Sequence, residues 1–503
     1  MGAEVLRDGG NALDAAVAMN AMLGVVYPHM CGLGGDAFLL YRSAADGRVA
    51  CLNGSGPAPR LATREAFRER ELPAIPPRGP LPVTVPGTVG AWEEALRRFG
   101  SRPLAELLAP AAAVAEEGFA ITARFAAAAE RAAPDLARDP VLRGLFLDPG
   151  GRPLAAGATL RQPALARSLR RLIEHGARDF YEGAIAGELD AGCRAAGGLL
   201  RREDLEAYAP RWVTPVRAPY RGLDVVVTPP NSQGVTALLM LNALAVLGAH
   251  AHAPGTAAHV EALVRAKRVA FADRDRHVTD PDFLEAPLDR LLTLEHAREA
   301  LAAPALPAPR STGGDTVYLC ATDADGNACS LIQSIFFAFG SCFVAGESGI
   351  LLQNRGHFFS LDDAHPNRLE PGKRTLHTLM ACMAFEGERL RFVFGTMGAD
   401  GQAQNNVQVL ERLLAGDPPQ EAVSAPRVLH GRFHPEDDPD VLSVEERMGP
   451  EVIAELAHRG LDPHVLPAYD EHFGHAHAIE LREDGSVLGG SDPRSDGAAI
   501  VVG

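Results

Sequence analysis

The 503-residue chain is poor in the features that mark several protein classes. Its seven cysteines (31, 51, 193, 320, 329, 342 and 382) are odd in number and never spaced as CxxC. That argues against a disulfide framework or a zinc site and for reduced thiols in a cytosol, so a cytoplasmic location is expected. No apolar run reaches the roughly 18–20 residues of a membrane span, which excludes an integral helical membrane protein. Residues 1–30 lack a basic segment and a cleavage site, so no secretion signal is visible. There is no basic excess: 48 Lys and Arg against 64 Asp and Glu give a formal charge of −16. Neither sign is clustered, so nucleic acid is excluded as a main partner, because phosphate binding needs a concentrated basic surface. No internal repeat and no low-complexity tract interrupts the chain.

What is present is the composition of a globular protein, 47% hydrophobic and 22% charged, long enough for one large or two coupled domains. Asn11 caps a helix that is apolar nearly all round from Ala15 to Val26, which predicts burial on every side. Cys31-Gly-Leu-Gly-Gly-Asp36 follows it and leads into a strand at 37–41. This glycine cluster lacks the Lys-Ser/Thr of a phosphate loop and stands after a helix, before a strand, which is the wrong order for one. From about 90 to 305 the pattern is mainly helical, with a β-like interruption at 212–227. Pro304 to Gly314 reads as a linker. Beyond it, Thr316–Thr322 and Ala328–Phe336 form a hairpin across Asp323-Ala-Asp-Gly-Asn327. Further strands are expected at 391–395 and 478–482, and helices near 403–415 and 449–458. The fold class is α+β.

The segment most suggestive of chemistry is Ser311-Thr-Gly-Gly-Asp-Thr316-Val-Tyr. A glycine pair delivers the chain to an Asp315–Thr316 bond, and the threonine begins a strand. A threonine hydroxyl can attack the carbonyl of its own preceding peptide through a five-membered ring, giving an ester that water cleaves. The freed α-amine, with a reference pKa of about 8, then sits beside the hydroxyl as its base. On these residues alone, a plain loop entering a strand accounts for the segment as well.

Resemblance across nearly the whole chain bears on that choice. The sequence resembles the γ-glutamyltransferase family of N-terminal-nucleophile hydrolases. Matching motifs are Gly10-Asn-Ala-Leu-Asp-Ala-Ala16, Gly32-Leu-Gly-Gly-Asp-Ala-Phe38, Val85-Pro-Gly-Thr-Val89, Phe180-Tyr-Glu-Gly183, Pro229-Pro-Asn-Ser-Gln-Gly234, Ala270-Phe-Ala-Asp-Arg274 and Asp280-Pro-Asp-Phe283. After the linker come Asp315-Thr316, Asp325-Gly-Asn327, Phe339-Gly340, Gly346-Glu-Ser-Gly-Ile-Leu-Leu352, Pro371-Gly-Lys-Arg374, Gly395-Thr-Met-Gly398 and Ser491-Asp-Pro-Arg494. The resemblance implies a four-layer αββα sandwich and a proenzyme cut before its nucleophile, Thr316. That gives a large subunit, 1–315, and a small one, 316–503, which stay together. It implies no cofactor and no metal, and it leaves a higher homo-oligomer open. Family members begin one strand earlier than Met1, so either the start site lies upstream or the sheet lacks an edge strand.

Carried over motif by motif, the catalytic parts match and the amino-acid clamp does not. Gly398 and Ala399 stand at the oxyanion hole, where an alanine can offer its N–H if its φ is negative. The arginine that grips the γ-glutamyl α-carboxylate falls at Ser55. The aspartate that holds the amino group falls at Phe358, and the pocket asparagine at Phe336. A Ser-Ser pair becomes His377-Thr378, and a second pocket threonine becomes Ser334. An α-amino acid head would find no charged partners here. Arg355 and His357 stand near the lost aspartate instead, and an Arg fork suits a carboxylate. Arg355 paired within the fold is the competing reading. The chain thus resembles the family's oxamate amidohydrolase and acylase-like branch more than its glutathione-cleaving branch. Ser360 to Pro371 is short where a lid would stand, so open access is expected.

Three functions remain: an autoprocessing threonine hydrolase of a small amide, a true γ-glutamyltransferase or glutathione hydrolase, and an unprocessed, inactive binding protein. Among minor candidates, His475-Ala-His477 reads as structural histidines, Arg274 with Asp273, Asp275 and Arg276 as an internal salt-bridge network, and Lys373-Arg374 as a loop anchor.

Overall fold

A computed structural model of the uncut chain describes residues 1–283, 288–303, 314–431, 438 and 440–502. The expected linker lies outside the described residues except for Gly314.

The predicted helix is Ala12–Val26, capped by Asn11 in a box with Asp14 and buried along most of its length. The predicted hairpin is Asp315–Thr322 paired with Ala328–Phe336. The other expected elements appear as strands Arg389–Thr396 and Ala476–Leu481 and helices Gly401–Leu414 and Pro450–His458. The interruption at 212–227 resolves into three short strands, Arg211–Val213, Val216–Tyr220 and Leu223–Val227.

Two antiparallel sheets organise the molecule. In the first, the strands run in the order Arg211–Val213, Val49–Gly54, Asp36–Arg42, Ala328–Phe336, Asp315–Thr322. In the second the order is Val487–Ser491, Ala476–Leu481, Arg389–Thr396, Cys382–Glu386, Leu223–Val227, Val216–Tyr220. Both sheets therefore draw strands from each side of the Asp315–Thr316 bond.

Period-two alternation shows how they pack. In Asp36–Arg42, Leu39 and Tyr41 join a core shared with the helices Ala12–Val26, Thr88–Phe99, Leu104–Glu117 and Pro163–His175. Phe38 and Leu40 point the opposite way, into a core with Val226, Met383 and Val393 of the second sheet. On that sheet Val225, Val227, Ala384 and Phe394 turn outward, onto Gly234–Leu247, Ala257–His277 and Gly401–Leu414. Each sheet is thus apolar on both faces, one against its partner and one against helices.

Candidate active site

Thr316 lies at an irregularity in the hairpin. Asp315 pairs with Phe336 and Val317 with Gln333, so Ser334 and Ile335 together oppose Thr316. This two-against-one bulge turns Ser334 onto the strand start. Its Oγ donates to the Asp315 carbonyl oxygen at 2.6 Å and accepts from the Phe336 N–H at 2.7 Å. Thr316 and Ser334 are both buried. Phe336, which closes the bulge, holds a φ of +82°, a strained value for a bulky side chain.

The oxyanion-hole candidates follow the strand Arg389–Thr396. Gly398 has a φ of +119° and Ala399 one of +43°. The expected negative φ at Ala399 is therefore not found, because the chain turns sharply there into the helix Gly401–Leu414. Among the described residues neither amide N–H has an acceptor in the protein, which leaves both free for a developing oxyanion. The turn is held from behind. Gln233 Nε2 donates to the carbonyls of Ala399 and Thr378, each at 2.8 Å, while its Oε1 accepts from Arg274. Arg274 is fully buried between Asp400, at 2.5 Å, and Asp275, at 2.8 Å. Asp273, expected in this network, pairs instead with His296 at 2.7 Å.

Arg355 is the most unusual group in the site. It is 1% exposed, and its guanidinium carbon lies 3.9 Å from the centroid of the Phe336 ring. Nη1 donates to Thr378 Oγ1 at 3.1 Å, whereas Nε and Nη2 have no hydrogen-bond partner among the described residues. Burial pushes its pKa down to about 9, against the opposing fields of Asp36 and Asp400. The expected alternative of a salt bridge within the fold is not what the geometry gives. A buried guanidinium with two free donors is costly unless an anion comes to meet it.

Other predicted residues are placed differently. His357 turns away: its Nδ1 donates to the Ile75 carbonyl at 2.6 Å and its ring packs on Phe337. His377 is buried with Nε2 on Asp36 Oδ2 at 3.1 Å, while Nδ1 accepts from the Leu379 N–H. Burial first, then Arg355, holds its pKa well below the ordinary histidine value. Ser55 hydrogen-bonds Asn53, and its carbonyl accepts from Arg374 Nε at 3.0 Å. Phe358 meets Phe336 edge-on at 5.8 Å. Phe336 and Phe358 thus form an aromatic wall against which the Arg355 guanidinium is stacked.

The expected open access is not present in the uncut chain. Gly314 runs close to Phe336 and to the Ala399 methyl, so the backbone ahead of Thr316 covers the site. Residues 360–369 are folded back on themselves by the Ser360–Asn367 and Leu369–Ser360 backbone bonds. Three buried polar residues packed against these candidates are not singled out by the sequence: Gln233, Asp36, and Gln353, whose Nε2 donates to Asp36 Oδ1 at 3.0 Å. The first two stand inside the motifs Pro229–Gly234 and Gly32–Phe38, but sequence alone does not show which polar side chain of either is buried at the site.

The two paired sheets, each apolar on both faces and covered by helices, together with the buried Thr316 opposite the bulge, define an α+β class. The family model for gamma-glutamyltranspeptidase matches residues 1–502, and the chain belongs to that family. It is 42% identical, over all of its length and 96% of the relative's, to a glutathione hydrolase-like YwrD proenzyme of Bacillus subtilis. It is 40% identical, over 98% of its length and 95% of the relative's, to an oxamate amidohydrolase proenzyme of Klebsiella pneumoniae. Among solved structures, the cephalosporin acylase from Bacillus halodurans superposes with a TM-score of 0.89 at 36% identity, covering 99% of this chain and 92% of that one. The relatives are hydrolase, amidohydrolase and acylase proenzymes, and this chain is an enzyme of their family.

Proposed function

We propose that the chain is a proenzyme that cuts itself before Thr316 and then hydrolyses a small amide bearing one carboxylate. The observation that carries the first half is the Ser334–Asp315 hydrogen bond beside the bulged Thr316. Ser334 withdraws electron density from the carbonyl that Thr316 Oγ1 would attack. The bond from Oγ1 to the Asp315 carbon forms as the carbon–nitrogen bond breaks, and the nitrogen takes the hydroxyl proton. Water then opens the ester, leaving a new carboxylate on Asp315 and a free amine on Thr316. Chains 1–315 and 316–503 would remain one four-layer αββα sandwich, because both sheets and all three cores use strands from each.

In turnover the Thr316 amine takes the hydroxyl proton as Oγ1 attacks the substrate carbonyl. The N–H groups of Gly398 and Ala399 meet the oxyanion, and the amine passes the proton to the leaving nitrogen. Water deacylates. Removal of the Gly314–Asp315 segment after cutting would open the way to Arg355, whose two free donors fit a carboxylate. The oxamate amidohydrolase among the relatives is in keeping with such a substrate. A γ-glutamyl head would add an ammonium, and Phe336 and Phe358 offer it no counter-charge.

Intact mass is the test of processing. The wild type should give chains of 315 and 188 residues (503 − 315) that co-elute, and Thr316→Ala a single inactive chain. A wild type that stays whole after prolonged incubation at neutral pH would leave only a fold-bearing binding protein. A panel of oxamate, succinamate, glutathione and a γ-glutamyl anilide then separates the enzyme readings. Efficient anilide turnover, with or without transfer to an acceptor, would restore the transferase.

A further inference from the structure

Arg355 is not alone in the interior. Asp36 is fully buried at the head of the strand Asp36–Arg42, directly across the ladder from Ser334. Its Oδ1 accepts from the Gly56 N–H and from Gln353 Nε2, each at 3.0 Å, and its Oδ2 from His377 Nε2 at 3.1 Å. Three donors saturate much of the carboxylate, so it is poorly placed to hold a substrate ammonium. The arrangement leaves one buried anion facing one buried cation, with no salt-bridge contact between Asp36 and Arg355 among the described residues.

We propose that Asp36 is a specificity-determining residue: it takes up a proton when a substrate carboxylate reaches Arg355, so the pocket admits an anion only at the expense of its own negative charge. The inference rests on the carboxylate reading of Arg355. The physical reason is charge counting. Arg355 and ionised Asp36 sum to zero, and a second carboxylate would leave a buried net charge of minus one. Protonating Asp36 restores neutrality: the added proton goes on Oδ2, which has a single donor, while His377 Nε2–H continues to donate to that oxygen. Burial pushes the Asp36 pKa up to about 7 while Arg355 pulls it down, so cancelling the Arg355 field with a ligand raises it further. The other groups facing this pair are Arg374, which lies on the Ser55 carbonyl, and the phenols of buried Tyr181 and half-buried Tyr208. Asp400, the remaining acid near Arg355, is engaged by Arg274.

The test uses the processed enzyme with oxamate and succinamate, and with neutral oxamide for comparison. Binding is measured between pH 5.5 and 9, and proton uptake by calorimetry in two buffers of different ionisation heat. The monocarboxylates should weaken by about tenfold per pH unit above roughly pH 7, with about one proton taken up per ligand, while oxamide stays flat. Asp36→Asn should flatten the monocarboxylate profile and remove that proton, leaving only what the Thr316 amine contributes. If monocarboxylate binding collapses in Arg355→Ala yet is flat with pH in the wild type, the inference fails and the clamp stands. If Arg355→Ala binds normally, or neither monocarboxylate binds, the substrate reading itself falls. Should Asp36→Asn fail to fold, the wild-type proton count decides alone.

Discussion

Ser334 and the carbonyl of Asp315 are joined by a hydrogen bond that exists only because the strand Ala328–Phe336 carries one residue more than its partner. An unbulged ladder would place Ser334 in ordinary pairing, with its hydroxyl away from the peptide ahead of Thr316. The contact should therefore matter most as that carbonyl gains negative charge. A hydrogen bond to a charged partner contributes about 1.5–3 kcal/mol. Ser334→Ala should slow self-cleavage by about tenfold to a hundredfold, whereas Ser334→Thr should keep most of the rate. Thr316→Ser should cut more slowly than the wild type. The time course of chain separation on denaturing gels measures all three, and an unchanged rate in Ser334→Ala would refute the polarising role.

Arg355 gives a second prediction. Arg355→Ala should raise KM for the preferred anionic amide with kcat changed less, because the guanidinium holds the carboxylate equally in ground and transition states. Arg355→Lys should recover little, since a point charge cannot reproduce a planar fork stacked on Phe336. Glutathione and γ-glutamyl anilides should be poor substrates by about a hundredfold to ten-thousandfold, reflecting two charged groups without partners at about 1.5–3 kcal/mol each. Steady-state kinetics on the substrate panel decides this.

The parts of the molecule legible from sequence are those governed by local pattern. Ala12–Val26 has no polar face, so burial follows from the string itself, and Asp323-Ala-Asp-Gly-Asn327 announces its hairpin. Which strands become neighbours is another matter. Leu223–Val227 lies beside Cys382–Glu386, and nothing local in either run selects the other. The bulge at Ser334 is invisible for a related reason: it is a mismatch between two strands and is written in neither. The orientation of His357 was also illegible, because a ring beside Arg355 in sequence is free to turn to Ile75 or to the pocket. Motif transfer pointed to Thr316, Ser334 and the Gly398–Ala399 turn as candidates, and it assigned His377 to substrate, whereas Asp36 and the Leu379 N–H occupy both its ring nitrogens.

Stability should depend on pH through Asp36. Its native pKa is raised to about 7 by burial, whereas an unfolded aspartate titrates at about 4. Between those values the native state holds a proton that the unfolded chain has released, so stability falls as pH rises. The contribution is fully present below about pH 4 and is lost as the pH passes about 7. Asp36→Asn, which cannot ionise, should lose less stability than the wild type over the same interval. Thermal unfolding of both proteins at pH 5 and pH 8 checks the sign, and a wild type that gains on the variant with rising pH would contradict it.

Ala399 supplies the last prediction. At a φ of +43° its methyl group stands in the left-handed region, which costs an L-residue about 1–2 kcal/mol. Glycine pays no such penalty but loses about 0.5–1 kcal/mol more chain entropy on folding. The two terms leave Ala399→Gly between neutral and about 1.5 kcal/mol more stable than the wild type. Catalysis should respond differently from stability. The Ala399 turn is pinned by Gln233 to the same amide that holds Thr378, so an oxyanion donor at 399 depends on that tether more than on its own side chain. Gln233→Leu should therefore lower kcat by about tenfold or more, within the range of losing an oxyanion-hole donor, while Ala399→Gly retains most of it. If the glycine variant loses activity as severely as the leucine variant, the alanine side chain, and not the tether, positions the amide.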